Sequence, residues 1–206
     1  MNNIAILPIT PDAVPELGAV MARAFEQDPV WSYMFPDARR RPDQLRWFFT
    51  LWIPLVAELG AAFMTADRRA LALWIPPGQE DRLSPGRQAQ RVLRALAHLG
   101  PGWAWRSFQV ALDAAKRQAE EVREPHWILD AIGVDPRVQR QGHGAALIYH
   151  VLDCAEAGRT PVYVQTHNRV NIPYYERFGF DLIKADRTRP GLDVWTCSLR
   201  RPPHPL

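Results

Sequence analysis

The spacing of apolar and polar residues changes period several times along the chain, and each change marks an element. Residues 4 to 9 form a short apolar run that reads as a strand. Behind Thr10 or Asp12 as a cap, Val14, Leu17, Met21 and Phe25 then recur at helical spacing. Residues 26 to 42 carry three prolines and the aromatics Trp31, Tyr33 and Phe35, and they read as a loop that covers something with apolar side chains. A second helix is expected over 43 to 59. A hairpin is expected over 61 to 78, turning at Asp67 to Arg69 and closed by Pro76-Pro77-Gly78. From 85 to 121 the pattern is helical twice, broken at Gly100-Pro101-Gly102. After it come a strand over 126 to 134, a helix over 142 to 158 ended by Gly158, a strand over 161 to 166, a short helix from 171, and strands over 180 to 186 and 192 to 199. The second half thus alternates strand and helix and finishes in strands, which predicts an α/β class with a mixed sheet.

At 206 residues the chain fits one domain with a sizeable core, and 47% hydrophobic with 23% charged residues is an ordinary globular composition. The net charge is +3, carried by 23 Arg against only 2 Lys, so planar donors suited to phosphate and carboxylate are plentiful. No basic run is long enough to suggest a nucleic-acid arm. Cys154 and Cys197 stand far apart with no CxxC partner, and no HExxH pair occurs, so neither a metal nor a disulfide framework is indicated. The N-terminus lacks a secretory pattern and no 18-residue apolar run exists, so a cytoplasmic protein without membrane contact is expected. Whether the chain is a monomer or a homodimer is not legible.

The densest chemistry lies in "GVDPRVQRQGHGAAL", residues 133 to 147, where a strand passes through a charged turn into a helix. The N-terminus of a helix presents unpaired N–H groups and a partial positive charge, and Gly142 and Gly144 keep side chains off the approach to that backbone. Phosphate binding is the natural inference. The dinucleotide fingerprint fails because Leu147 stands where its third Gly or Ala belongs, and a Walker loop would need Gly-Lys-Ser/Thr.

Val134, Pro136, Gln139, Gly142 and Gly144 resemble the acetyl-CoA signature of the GNAT superfamily of N-acetyltransferases, Q/R-x-x-G-x-G/A after a strand ending V-x-P. "NIPYYERFGF", residues 171 to 180, resembles the downstream motif of that superfamily, and "FEQDPVWSYMFPD" looks like the corresponding loop of its puromycin N-acetyltransferase-like members. The resemblance is strong over about 126 to 199. It implies a GNAT fold, with a mostly antiparallel mixed sheet flanked by helices and here a helical insert before the central strand. It also implies acetyl-CoA as co-substrate, with the pantetheine and the reacting carbonyl held by the backbone of Ile132, Gly133 and Val134. The pyrophosphate would lie on the amides from Gln139 through Arg140, Gln141, Gly142, His143 and Gly144 to Ala145, with Arg137 and Arg140 adding charge. Asn171 would bond the pantetheine arm, and Tyr175 would protonate the leaving thiolate, with Tyr174 as the competing choice.

For the base that takes the proton of the amine, the strand offers two candidates. By period two, His126, Ile128, Asp130, Ile132 and Val134 share one face, so His126 and Asp130 point together. The resemblance favours a carboxylate such as Asp130, while His126 has the better intrinsic pKa and Glu124 is a third option. Trp31, Tyr33, Phe35 and Trp74, with Trp103 or Trp105, would give the acceptor an aromatic and mostly apolar lining. A small-molecule primary amine is the expected acceptor. A peptide N-acetyltransferase and a non-catalytic acyl-CoA sensor are the alternatives.

Overall fold

In the computed structural model, residues 4–79, 93–157 and 159–199 are described, Glu156 by its backbone alone. The elements are β1 (Ile6–Pro8), α1 (Val14–Phe25), α2 (Pro29–Met34), α3 (Arg41–Ala57), β2 (Ala62–Thr65), β3 (Ala70–Ile75), α4 (Pro101–Glu121), β4 (Trp127–Val134), α5 (His143–Ala157), β5 (Val162–Thr166), α6 (Ile172–Glu176), β6 (Asp181–Arg187) and β7 (Asp193–Leu199). Residues 93–99 are helical as well. The first part of the helix expected from 85, and Gly158 as the stop of α5, fall outside the described residues. The remaining elements agree with the hydrophobic pattern within a few residues, with one exception. Residues 29–34, read as loop, form α2, because Asp28 caps the turn by accepting from the amides of Val30 and Trp31 while Pro29 supplies a preset φ at its first position.

The seven strands form one sheet in the order β1-β2-β3-β4-β5-β7-β6. Every neighbouring pair is antiparallel except β4 and β5, which are parallel. One face packs on α1, α2 and α3 through a core that includes Leu17, Met21, Leu45, Phe49, Ile53, Leu71, Leu73 and Ala131. The other face packs on α5 and α6 through Ala72, Trp74, Leu129, Leu147, Ile148, Val151, Val164 and Tyr175. Two glycines allow close approach on the first face. A side chain on Gly18 would run into Thr50 of α3 at 2.9 Å, and one on Gly133 would run into the Sδ of Met21. The helix α1 is therefore seated directly over the C-terminal half of β4.

The strand β4 does not keep the uniform alternation expected of it. Against β3, Leu73 pairs with Ala131 but Trp74 pairs with Leu129, so Asp130 is an extra residue in a bulge. On the α5 side lie Trp127 and Leu129, and beyond the bulge Ile132 and Val134 lie there too, whereas Ala131 is in the α1–α3 core. The five residues expected on one face are thus divided: Ile132 and Val134 point away from Asp130. Among the described residues no helix is long and apolar enough to cross a membrane.

Candidate active site

The sheet forks at its centre. The parallel pair β4–β5 is joined only through Trp127–Val162, Ile128–Tyr163 and Leu129–Val164; from Asp130 onward β4 has no partner on β5, while Ala131 to Val134 keep theirs on β3. The main chain from Asp130 to Val134 therefore presents unpaired polar groups to the gap, which an extended ligand with amides can satisfy. This stretch includes Ile132, Gly133 and Val134. On the facing strand, Thr166 sits at the open end, and its hydroxyl accepts a 3.0 Å bond from the Asn171 side chain.

Beyond β4 the chain forms the loop inferred to bind phosphate. Arg140 (φ 63°) and Gly142 (φ 95°) both occupy the left-handed region, which turns successive N–H groups into one concavity ahead of the first turn of α5. Gln139, Arg140, Gln141 and Gly142 are exposed, whereas His143, Gly144 and Ala145 are buried or half-buried. The side chain of Gln139 turns back to the carbonyl of Val134 at 3.3 Å. The imidazole of His143 is directed inward, 2.9 Å from Asp67 Oδ2, so what it offers a ligand at this position is its backbone. Gly144 has a specific steric reason: a Cβ there would lie 2.6 Å from the hydroxyl of Tyr174 and 3.3 Å from Val134 Cγ2. The fork, the concavity and the two glycine positions fit an elongated donor carrying amides and a pyrophosphate.

Tyr175 is 4% exposed and lies in the α5-side core, its ring 5.8 Å from that of Phe180. Burial pushes its hydroxyl well above the usual tyrosine range, and the charges of Tyr174, Cys197 and Asp28 add to this. A hydroxyl with that shift remains protonated at working pH, as an acid must. Tyr174 is pushed up to about 12 by burial. Its hydroxyl points to Gly144, and the Arg177 guanidinium lies over its ring at 5.1 Å, which places Tyr174 beside the loop.

On the other face, Asp130 Oδ2 accepts a 2.7 Å bond from the indole of Trp52 on α3. Its carboxylate is open to water yet deep in the cleft, and desolvation raises it to about 6 despite the Trp52 bond. His126 lies four residues back, just before β4, about 13 Å by strand rise. It is buried on the closed side of the fork, its Nδ1 2.8 Å from the carbonyl of Glu124 and its ring against Tyr163. The two candidate bases are therefore not brought together.

An aromatic wall runs from Asp130 to α2. The Trp52 ring stacks near Phe48 at 5.7 Å, Phe48 meets Trp31 at 5.1 Å, and the Trp31 amide bonds the carboxylate of Asp28. Burial raises Asp28 as well. Sequence reasoning missed this residue; the signal was present in Asp28-Pro29, a capping residue followed by proline. Tyr33 bonds Gln109 of α4 at 2.7 Å, and Phe35 is 1% exposed within the core. Trp74 is wholly buried against α5, on the face opposite the aromatic wall. Of the four residues expected to line the acceptor pocket, Trp31 and Tyr33 are half-buried on the acceptor face, whereas Phe35 and Trp74 are core. Among the described residues no group of His, Cys, Asp and Glu is arranged to hold a metal.

The pattern that defines the acetyltransferase (GNAT) family matches residues 102–180. An uncharacterized N-acetyltransferase of Schizosaccharomyces pombe is 25% identical over 170 residues, covering 79% of this chain and 68% of the relative. In three dimensions the chain resembles a histone acetyltransferase HPA2 and related acetyltransferase from Corynebacterium glutamicum, with a TM-score of 0.67 at 22% identity over 98% of both chains. It also resembles a polyamine N-acetyltransferase from Drosophila melanogaster that forms N-acetylagmatine, with a TM-score of 0.59 at 16% identity over 96% of this chain and 99% of the other. Residues 102–180 thus carry the sequence pattern of the acetyltransferase (GNAT) family, and the described chain has the fold of these acetyltransferases.

Proposed function

We propose that the chain transfers an acetyl group from acetyl-CoA to a primary amine of a small molecule. The observation that carries this reading is the forked sheet, with a phosphate-type loop at one end and, at its centre, Tyr175 on one side and the carboxylate of Asp130 on the other. Backbone N–H groups of β4 between Asp130 and Val134 face the oxygen on which negative charge develops. Asp130, ionised above about pH 6, takes the proton of the acceptor ammonium, whose reference pKa near 10 falls as the aromatic wall desolvates it. The amine nitrogen then bonds to the acetyl carbon, the carbon–sulfur bond breaks, Tyr175 gives its proton to the departing sulfur, and the second proton lost from the nitrogen passes through solvent and restores the Tyr175 hydroxyl. Asn171 and Thr166 sit where the pantetheine arm enters the fork, and His126 is left as a core histidine. Asp28, whose carboxylate is tied to the aromatic wall through the Trp31 amide, is a second negative charge on that face to attract a cationic acceptor.

The acceptor side favours a small molecule over a peptide. The guanidinium of Arg41 holds the α2 segment at three carbonyls, Phe35 at 2.7 Å, Glu26 at 2.9 Å and Pro36 at 3.4 Å. From the other side Arg106 of α4 bonds the Met34 carbonyl at 3.2 Å. The segment is thereby a fixed cover and not an open groove. The agmatine-acetylating relative from Drosophila agrees with an amine acceptor, and the loop over 25 to 37 keeps the likeness to puromycin N-acetyltransferase-like enzymes within this reading. Screening amines for acetyl-CoA-dependent thiol release tests the activity. With an accepted amine, Tyr175→Phe is expected to lower kcat by about 100-fold with coenzyme A binding unchanged. Equal turnover by the variant would sink the acid assignment.

A further inference from the structure

The turn between β2 and β3 touches both ends of the donor loop. At the entrance, Asp135 is fully buried and its Oδ2 meets Arg23 of α1 at 2.7 Å, Arg137 at 2.6 Å and Arg69 of the turn at 3.3 Å. Its Oδ1 accepts from the Nε and the amide of Arg137 at 3.0 and 3.1 Å, and its own N–H donates to the Arg69 carbonyl at 2.8 Å. These arginines hold the carboxyl far below the usual range, so it is charged at any working pH. At the exit, His143 Nε2, the first residue of α5, lies 2.9 Å from Asp67 Oδ2 in the same turn. Asp67 is itself braced by the Thr65 hydroxyl at 2.6 Å and the Arg69 amide at 3.1 Å. One buried carboxylate needs one arginine for neutrality. Three, drawn from a helix, a turn and the loop, are explained by register.

We propose that the turn Asp67–Arg69 is a positioning bracket for the donor's pyrophosphate: it fixes the loop 139–142 by gripping Asp135 before it and His143 after it. The proposal rests on the reading that acetyl-CoA occupies the loop. Arg137, expected to add charge at the phosphates, instead spends its fork on Asp135 and serves as part of the bracket. None of the bracket residues touches the reacting atoms, so the bracket acts on the shape of the concavity and selectively on the nucleotide end of the donor.

The side chains of Asp67 and Arg69 are 49% and 41% exposed, so Asp67→Asn, Arg69→Met and their combination are expected to fold. The test compares kcat/KM for acetyl-CoA with that for S-acetylpantetheine, which lacks the pyrophosphate, using one acceptor. The parent is first required to prefer acetyl-CoA; no preference would refute the reading of the loop and leave the bracket without a ligand to position. Given that preference, the double variant is expected to lose about 10-fold with acetyl-CoA, through KM, and to stay within about 2-fold with S-acetylpantetheine. Arg69→Lys, which keeps a cation near Asp135, is expected to retain most of the parent's preference. An equal fall with both donors would show a merely structural role, and no fall with acetyl-CoA would show no role; either overturns the bracket.

Discussion

Substitution of Gly144 offers a sharp test of how the donor loop is built. Gly144 is the second residue of α5 and has no positive φ, so alanine is acceptable to the backbone there and, by helix propensity alone, would stabilise by up to about 1 kcal/mol. Its Cβ would nevertheless lie 2.6 Å from the Tyr174 hydroxyl and 3.3 Å from Val134 Cγ2, a forced contact of the kind that costs about 1–3 kcal/mol. The second term outweighs the first, and Gly144→Ala is expected to destabilise by roughly 1 kcal/mol. Tyr174→Phe removes the offending oxygen; the next atom of that ring, Cζ, is 3.6 Å away, an ordinary contact. In the double variant the propensity gain should reappear, so the cycle should show a favourable coupling of about 1 kcal/mol or more. Chemical denaturation of the four proteins measures it, and additivity within about 0.3 kcal/mol would refute the packing of Tyr174 against the start of α5.

Other perturbations separate stability from activity. Raising Asp130 from 3.8 to about 6 means that the folded protein binds its proton more tightly than the unfolded chain, so stability falls as pH rises from about 4 to 6. The full shift corresponds to roughly 3 kcal/mol, and solvent access to the carboxylate reduces that to about 1 kcal/mol. Asp130→Asn should therefore be more stable than the parent by about 1 kcal/mol at pH 8 and no more stable at pH 4, as read by denaturant titration at the two pH values. The same variant should lose about 100-fold in kcat together with the acid limb of kcat/KM near pH 6; an unchanged limb would assign the base elsewhere. Gly142→Ala meets only Ile4 Cδ1 at 3.7 Å, so its cost comes from φ 95° alone. It should amount to about 1–2 kcal/mol by thermal unfolding, with a raised KM for acetyl-CoA; a neutral result would mean that the loop can adopt another shape.

The proposed donor loop stands out in the sequence because its requirements are local. A phosphate that reaches backbone amides needs a special turn at a fixed offset from the end of a strand, and Gly142 with its left-handed φ displays that need, whereas Gly144 answers to the packing of Tyr174. The acceptor side does not, because its parts are joined only by folding. Asp130 meets Trp52 across 78 positions, with nothing in the local pattern of either partner to announce the other; the braces behind the loop were hidden in the same way, since Arg23 meets Asp135 across 112 and Asp67 meets His143 across 76. Phe35 and Trp74 show the converse. Aromatic type alone does not tell a core filler from a cleft wall, and large apolar side chains most often fill the core.

On the proposed reading, the bulge at Asp130 lets one strand serve both substrates. The donor half, Ile132 and Val134, must anchor against α5, where Val134 packs beside Gly144 and sets the loop. The acceptor half must present a carboxylate to the opposite face, where α3 supplies Trp52. Strict alternation cannot do both, since counting back from Ile132 would send Asp130 to the α5 core, among Leu129, Trp74 and Leu147. One inserted residue changes the parity between the halves. It does so one position past Leu129, where pairing to β5 ends and the strand edge becomes free. The extra residue is the carboxylate itself, so on the proposed reading the irregularity that opens the sheet to acetyl-CoA also turns the base toward the amine.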